Sequence, residues 1–120
     1  MKVLRAAIEA AEKGRDAALV TVIGQDGSAP RAAGSRMLVC RDGDHVGTIG
    51  GGNFEHRTID QALAAINDCV PRRYAVHLTR DLGMCCGGAM EVFIEPIPGR
   101  DHLVIYGAGH VGTATAHIAS

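Results

Sequence analysis

The chain has 120 residues, of which 47% are hydrophobic, 21% are charged and 3% are aromatic. This composition fits one soluble globular domain with an aliphatic core, and it excludes a disordered chain, which needs low hydrophobicity and high net charge. Twelve basic and thirteen acidic side chains leave a net charge of −1, so there is no electrostatic reason to expect nucleic acid or an anionic membrane as a partner.

The amino-terminal half predicts a helix, a strand and a hairpin, in that order. Apolar residues at helical spacing over residues 3–13 predict an amphipathic helix that ends at Gly14. The short β-branched run at residues 17–23 predicts a strand. The segments 36–41 and 45–49 lie on either side of an Asp-Gly-Asp turn, which is typical of a β-hairpin.

A second helix and two more strands follow the hairpin. The helix is expected over residues 54–67, with Asn53 as its N-cap. Its buried stripe is expected to be Ile59, Leu63 and Ile66. Alternating apolar residues predict strands at 73–79 and 89–97. The fold class is therefore α/β or α+β, with a small mixed sheet and two helices.

The last 20 residues look like the beginning of a further unit. A buried-strand run at 103–106 leads into a G-x-G-x-x-G turn at 107–112, and that strand-to-helix context is what dinucleotide binding requires. We therefore expect a domain at residues 1–97, a linker at 98–101, and the start of a truncated Rossmann-like domain at 102–120. A lone strand and helix cannot complete a nucleotide fold, so NAD(P) binding here is the less favoured interpretation.

Three consecutive glycines, Gly50 to Gly52, stand where a strand gives way to a helix. Glycine backbone N–H groups at a helix start can bind an anion, because the positive end of the helix dipole supports negative charge. The alternative is that the glycines only permit a sharp turn. Glu55, in the first helical turn, either contacts a ligand or simply complements the dipole.

Two loops carry further candidate side chains. On the loop at residues 24–34, Ser28 offers a hydroxyl and Arg31 a guanidinium, the preferred partner of phosphate or carboxylate. Residues 81–88 contain adjacent cysteines followed by two glycines, which suit an exposed thiolate that binds a soft metal or carries transferable sulfur. The alternative for any free cysteine is a small buried apolar residue, and this is what we expect of Cys40 and Cys69.

Taken together, the glycine-rich segments and the two candidate loops resemble the XdhC/CoxI family, accessory proteins of xanthine dehydrogenase and related molybdenum hydroxylases. The two adjacent cysteines resemble the pattern of the xanthine dehydrogenase branch of the family. Members have a complete Rossmann-like carboxy-terminal domain, of which we expect only the first strand and turn in these 120 residues. The resemblance is carried by four segments in order, at residues 27–34, 47–55, 82–88 and 107–112.

The resemblance implies a chaperone that binds molybdenum cofactor (molybdopterin), supports its sulfuration, and inserts it into an apo molybdenum hydroxylase such as xanthine dehydrogenase. A cysteine desulfurase is then a partner, and the open edges of a solitary strand such as that at residues 103–106 favour pairing with a second copy. We assign no catalytic residue, and Cys86 is the candidate metal ligand. The candidate cofactor-binding residues are Ser28, Arg31, Gly50, Gly51, Gly52, Glu55, Cys85, Cys86, Gly87, Gly107, Gly109 and Gly112.

A fragment of an NAD(P)-binding oxidoreductase, with Cys86 as a redox-active thiol, is the alternative function. A small interaction domain with no ligand is the third. No apolar run approaches the roughly 20 residues of a membrane span, and the amino-terminal residues lack the pattern of a secretory signal. We therefore expect the protein in the cytoplasm.

Overall fold

The computed structural model describes residues 1–26, 33–77 and 88–99. Two helices and five strands occur there, close to the segments that apolar spacing predicts. In chain order they are α1 (Lys2–Glu12), β1 (Ala17–Asp26), β2 (Arg36–Cys40), β3 (His45–Gly47), α2 (Gly52–Asp68), β4 (Arg72–His77) and β5 (Ala89–Ile97). The expected strand at 103–106 and the G-x-G-x-x-G turn lie outside the described residues.

The five strands form one sheet in the order β3-β2-β1-β5-β4. All four pairings are antiparallel, which corrects the expectation of a mixed sheet, although the α+β class is confirmed. The pairing of β1 with β5 shifts register between Val22 and Gly24, as at a β-bulge. Antiparallel neighbours need only short connections, and the hairpin of β2 and β3 has one of this kind.

Helix α2 connects the two edges of the sheet and covers one of its faces. It follows the edge strand β3 and precedes the opposite edge strand β4, and it contacts β1, β2, β4 and β5. The Phe54 ring stacks on Tyr74 of β4 with 6.1 Å between ring centroids. The buried core residues of this layer are Ala18, Val20, Val22, Met37, Val39, Ile49, Phe54, Ala62, Ala65, Ile66, Val76, Met90, Val92 and Ile94.

Helix α1 packs on the other face of the sheet. Successive residues of a strand point to opposite faces, and α1 contacts Ala17 and Leu38, which alternate with the core residues Ala18 and Val39 under α2. Ala7 and Ala10 of the helix contact Ala17 of β1 and Leu38 of β2 in a second, smaller core cluster. Both layers are thus almost entirely aliphatic, as the low aromatic content predicts. Within the described segments, neither helix has the length and apolar character that crossing a membrane requires.

Two details of α2 differ from the sequence-based expectation. The helix begins at Gly52 with Gly51 as its N-cap residue, so the prediction of Asn53 as N-cap is wrong. Of the expected buried stripe, Ile66 is fully in the core, whereas Ile59 and Leu63 are only partly buried beside it. The remaining buried positions of the helix are Phe54, Thr58, Ala62 and Ala65.

Candidate functional site

Four of the predicted cofactor-binding residues are described by the structure, and they form one turn. Gly50, Gly51 and Gly52 connect β3 to α2, and Glu55 lies one helical turn further on. The predictions for the other candidates fall outside the described residues: Ser28, Arg31, Cys85, Cys86, Gly87, Gly107, Gly109 and Gly112.

The connection between β3 and α2 at residues 48–52, which we call the glycine turn, has a backbone that only glycine adopts readily. The φ angles are 130° at Gly50, 75° at Gly51 and 67° at Gly52. Side chains with a Cβ are disfavoured at positive φ. The three glycines are therefore needed for the path of the chain itself, and a Cβ placed on Gly51 would meet nothing within 4 Å, so the backbone there faces open space.

Glu55 closes the glycine turn from inside. Its Oε1 atom accepts hydrogen bonds from the Thr48 hydroxyl at 2.5 Å, from the Ile49 N–H at 3.1 Å and from the Gly51 N–H at 3.3 Å. The Gly50 N–H donates to the Thr48 hydroxyl at 3.1 Å. Two of the glycine N–H groups that the sequence suggests for an external anion are thus bonded within the chain. The bond from Glu55 to the N-cap residue is a capping box displaced by one position.

The charge of Glu55 is stabilised by this arrangement. Burial by itself raises the pKa of the Glu55 carboxyl, and the hydrogen bonds from Thr48, Ile49 and Gly51 outweigh it, so that the pKa lies below its ordinary value of 4.5. The side chain is only 14% exposed. At neutral pH the glycine turn therefore contains a fixed negative charge.

His45 of β3 lies next to the same carboxylate. Its Nε2 atom is 3.7 Å from Glu55 Oε2, and its side chain is 38% exposed. The local sequence offered no signal for His45 or for the role of Thr48, because the contacts depend on the hairpin edge folding over the helix start. The structure shows no group of three or more His, Cys, Asp or Glu side chains suited to a metal ion in the parts of the chain it describes.

A second polar cluster ties four chain segments together at one end of the sheet. Asp16 accepts from Arg41 through Oδ2, at 3.2 Å from Nε and 2.7 Å from Nη2, and from the Gly99 N–H through Oδ1 at 2.9 Å. Arg41 also donates to Asn67 Oδ1 at 3.0 Å. An open cleft of about 480 Å³ beside this cluster is lined by Gly14, Arg15, Asp16, Cys40, Arg41 and Asp42. Sequence reasoning singled out none of these as site residues.

The two cysteines that the structure describes differ in their surroundings. Cys40 is half-buried, and burial, reinforced by Asp42, raises the pKa of its thiol. Cys69 is exposed, so the expectation that it is a buried apolar residue is wrong. It follows the last turn of α2 in the left-handed conformation, at φ 55° and ψ 35°, where the chain turns away from the core.

Comparisons with known proteins agree with this fold. The sequence matches the XdhC and CoxI family over residues 10–78. It is 38% identical to the uncharacterized protein YqeB of Escherichia coli (strain K12) over a 124-residue alignment that covers 100% of this chain and 23% of that protein. It is 32% identical over 98 residues to the molybdenum cofactor insertion chaperone PaoD of the same organism, covering 79% of this chain and 31% of PaoD.

A solved structure shares the architecture. The crystal structure of a xanthine dehydrogenase from Bacillus halodurans superposes with a TM-score of 0.69 at 25% identity, covering 80% of this chain and 30% of that one. The chain thus spans between about a quarter and a third of the length of these proteins. The family match covers more than half of the 120 residues and includes the glycine turn. The chain belongs to the XdhC and CoxI family.

Proposed function

We propose that this chain binds molybdenum cofactor and assists its insertion into a molybdenum hydroxylase of the xanthine dehydrogenase type. The observation that carries the proposal is the 32% identity to a molybdenum cofactor insertion chaperone across 79% of the chain. That stretch is long enough to include most of the sheet and α2, so the similarity concerns the domain as a whole.

The glycine turn fits a flat, polar ligand of this kind. Gly51 faces open space, so the edge of a pterin ring system can approach the backbone without meeting a Cβ. Glu55 and Thr48 hold the turn in one conformation through their hydrogen bonds, and a preorganised site loses less entropy on binding. We assign the pterin contacts in the described domain to the backbone of Gly50–Gly52 and to Glu55.

The remaining contacts of the proposal come from residues outside the described ranges. The Arg31 guanidinium, with Ser28, suits the cofactor phosphate. The Cys86 thiolate suits molybdenum or its terminal sulfur, since molybdenum is thiophilic, and Cys85 and Gly87 flank it. Residues Gly107, Gly109 and Gly112 belong to the proposed Rossmann-like start and would contact the cofactor from the second domain.

In this function the protein is a carrier and not a catalyst. We propose that a cysteine desulfurase supplies the sulfur for the cofactor, that the apo molybdenum hydroxylase receives the product, and that both encounters take place in the cytoplasm. A single copy or a pair of copies can serve this role, and β3 and β4, the outermost strands of the sheet among the described residues, are the surfaces through which two copies would pair.

The experiment loads the 120-residue chain with molybdenum cofactor and measures retained molybdenum by metal analysis and pterin by fluorescence after oxidation. We expect both in about equal amounts in the wild-type chain. We expect Cys86→Ala to lower the retained molybdenum. The control is Cys69→Ala, which removes the exposed thiol of another cysteine and should leave the retained molybdenum unchanged.

Contrary results would overturn different parts of the proposal. Absence of retained molybdenum and pterin in the wild-type chain overturns the function. Unchanged retention in Cys86→Ala removes the role of that thiol. A titration with NADH and NADPH on the same sample tests the alternative oxidoreductase, for which the G-x-G-x-x-G sequence at 107–112 is the specific observation. Saturable nicotinamide binding without cofactor retention favours that alternative.

A further inference from the structure

We propose that Glu55 determines which part of the cofactor meets the glycine turn: it closes the turn to phosphate and selects the hydrogen-bond-donating edge of the pterin. This inference rests on the proposed function and makes it more specific.

A phosphate at a helix start is held by free backbone N–H groups. In this chain the Ile49 and Gly51 N–H groups donate to Glu55 Oε1, and the Gly50 N–H donates to the Thr48 hydroxyl. A phosphate could use these three groups only after displacing the side chains that now accept from them.

The negative charge of Glu55 also disfavours a phosphate at the glycine turn. Glu55 is negative at neutral pH, because the hydrogen bonds around it outweigh the effect of burial, and its side chain is largely shielded from water. Two negative groups at contact distance repel each other, more strongly where water is partly excluded. The glycine turn is therefore an unfavourable place for a phosphate even where an N–H group remains free.

The second carboxylate oxygen of Glu55, Oε2, differs from Oε1 in its hydrogen bonds. Oε1 already accepts three hydrogen bonds, whereas the contact recorded for Oε2 within the described residues is His45 Nε2 at 3.7 Å, beyond hydrogen-bond distance. A carboxylate oxygen has two lone pairs. Oε2 can thus accept a hydrogen bond from a ligand N–H, such as the amino group or the ring N–H of a pterin.

The test uses free pterin and inorganic phosphate as separate probes, with the backbone amide signals of Ile49 and Gly51 followed by nuclear magnetic resonance. In the wild-type chain we expect pterin to shift these signals and phosphate at equal concentration to leave them in place. Glu55→Gln keeps an oxygen for the turn donors but places an amide N–H₂ where Oε2 was. We expect it to raise the Kd for pterin by about tenfold or more, which corresponds to the loss of one hydrogen bond to a charged group.

The matched control is Asp60→Asn, which removes a negative charge from an exposed position of the same helix and should leave the Kd for pterin within about twofold, because exposed charges contribute little. Three results overturn the inference: a phosphate-induced shift of the Ile49 and Gly51 signals in the wild-type chain, equal pterin affinity of Glu55→Gln and wild type, or failure of the wild-type chain to bind pterin.

Failure of this inference differs from failure of the proposed function. A wild-type chain that retains molybdenum cofactor while Glu55→Gln binds pterin normally keeps the function and loses the role of Glu55. A wild-type chain that binds free pterin through Glu55 but retains no molybdenum keeps the role of Glu55 and loses the function.

Discussion

The Gly99 amide donates a 2.9 Å hydrogen bond to the Asp16 carboxylate across 83 positions of sequence. Asp16 lies just before β1 and Gly99 just after β5, and the two strands are neighbours in the sheet. The same carboxylate is held by the Arg41 guanidinium at 2.7 Å. The segment that follows β5 is therefore attached to the start of β1, the central strand of the sheet.

Gly99→Ala should destabilise the fold. A Cβ at this position would collide with the backbone carbonyl carbon of Gly14, and it would lie 2.6 Å from Arg15 N. Because backbone atoms cannot move aside as a side chain can, we expect a loss of about 1–3 kcal/mol in the free energy of unfolding, measured by urea denaturation. The matched control is Gly24→Ala, whose Cβ would have its nearest neighbour at 3.7 Å. An equal loss in both variants would contradict the close approach.

Asp16→Asn should change how stability depends on pH. The hydrogen bond from the Gly99 amide, with that from Arg41, lowers the pKa of Asp16 below its ordinary value of 3.8. A carboxyl with a depressed folded-state pKa stabilises the fold above the unfolded value and ceases to do so as pH falls through the folded value. We expect wild type to have a higher Tm than Asp16→Asn at pH 7, with the difference shrinking below pH 3.8. A difference that stays constant down to pH 2 would contradict this.

Thr48→Val should weaken the glycine turn, since the hydroxyl both donates to Glu55 and accepts from the Gly50 N–H. Valine has the same shape but removes one of the three donors to Glu55 and leaves the Gly50 N–H without its acceptor, and we expect a loss of about 1–3 kcal/mol in the free energy of unfolding. The pKa of Glu55 should rise at the same time, which a carbon-detected titration of its carboxyl measures. Thr48→Ser retains the hydroxyl and is the control, in which we expect a smaller loss; a loss in Thr48→Ser as large as that in Thr48→Val would contradict the role of the hydroxyl.

Cys69→Gly should stabilise the domain. Cys69 has φ 55° and ψ 35°, a left-handed conformation that costs a residue with a Cβ about 1–2 kcal/mol. Glycine relieves this strain but gains about 0.4–1 kcal/mol of entropy in the unfolded chain. We expect a net gain of about 0.5–1 kcal/mol in the free energy of unfolding, whereas Cys69→Ala, which keeps a Cβ, shows none. Equal behaviour of the two variants would contradict the assignment to backbone strain.

Most of the helices and strands can be predicted from patterns of neighbouring residues. The hairpin of β2 and β3 is recognisable because its turn residues stand directly between its strands, and α1 ends near Gly14 because glycine stops a helix. The prediction of the N-cap was wrong for a local reason as well. Asn53 is a good N-cap residue by type, but the positive φ angles of the three preceding glycines lead the chain into the helix at Gly52, one residue earlier. The order of the strands in the sheet could not be predicted in this way, because the alternation of apolar residues along a strand does not show which strand lies beside it.

The candidate site divides in the same way. The order of neighbouring residues is enough to show that three glycines and a glutamate stand at the start of a helix. The folded chain is needed to show that Glu55 accepts hydrogen bonds from Thr48, Ile49 and Gly51. It also shows that His45 lies against the same carboxylate. Backbone stereochemistry acts within a few residues, so it can be read from the chain. Contacts such as that between Asp16 and Gly99 form only when the packing of the whole sheet offsets the entropy of closing a long loop.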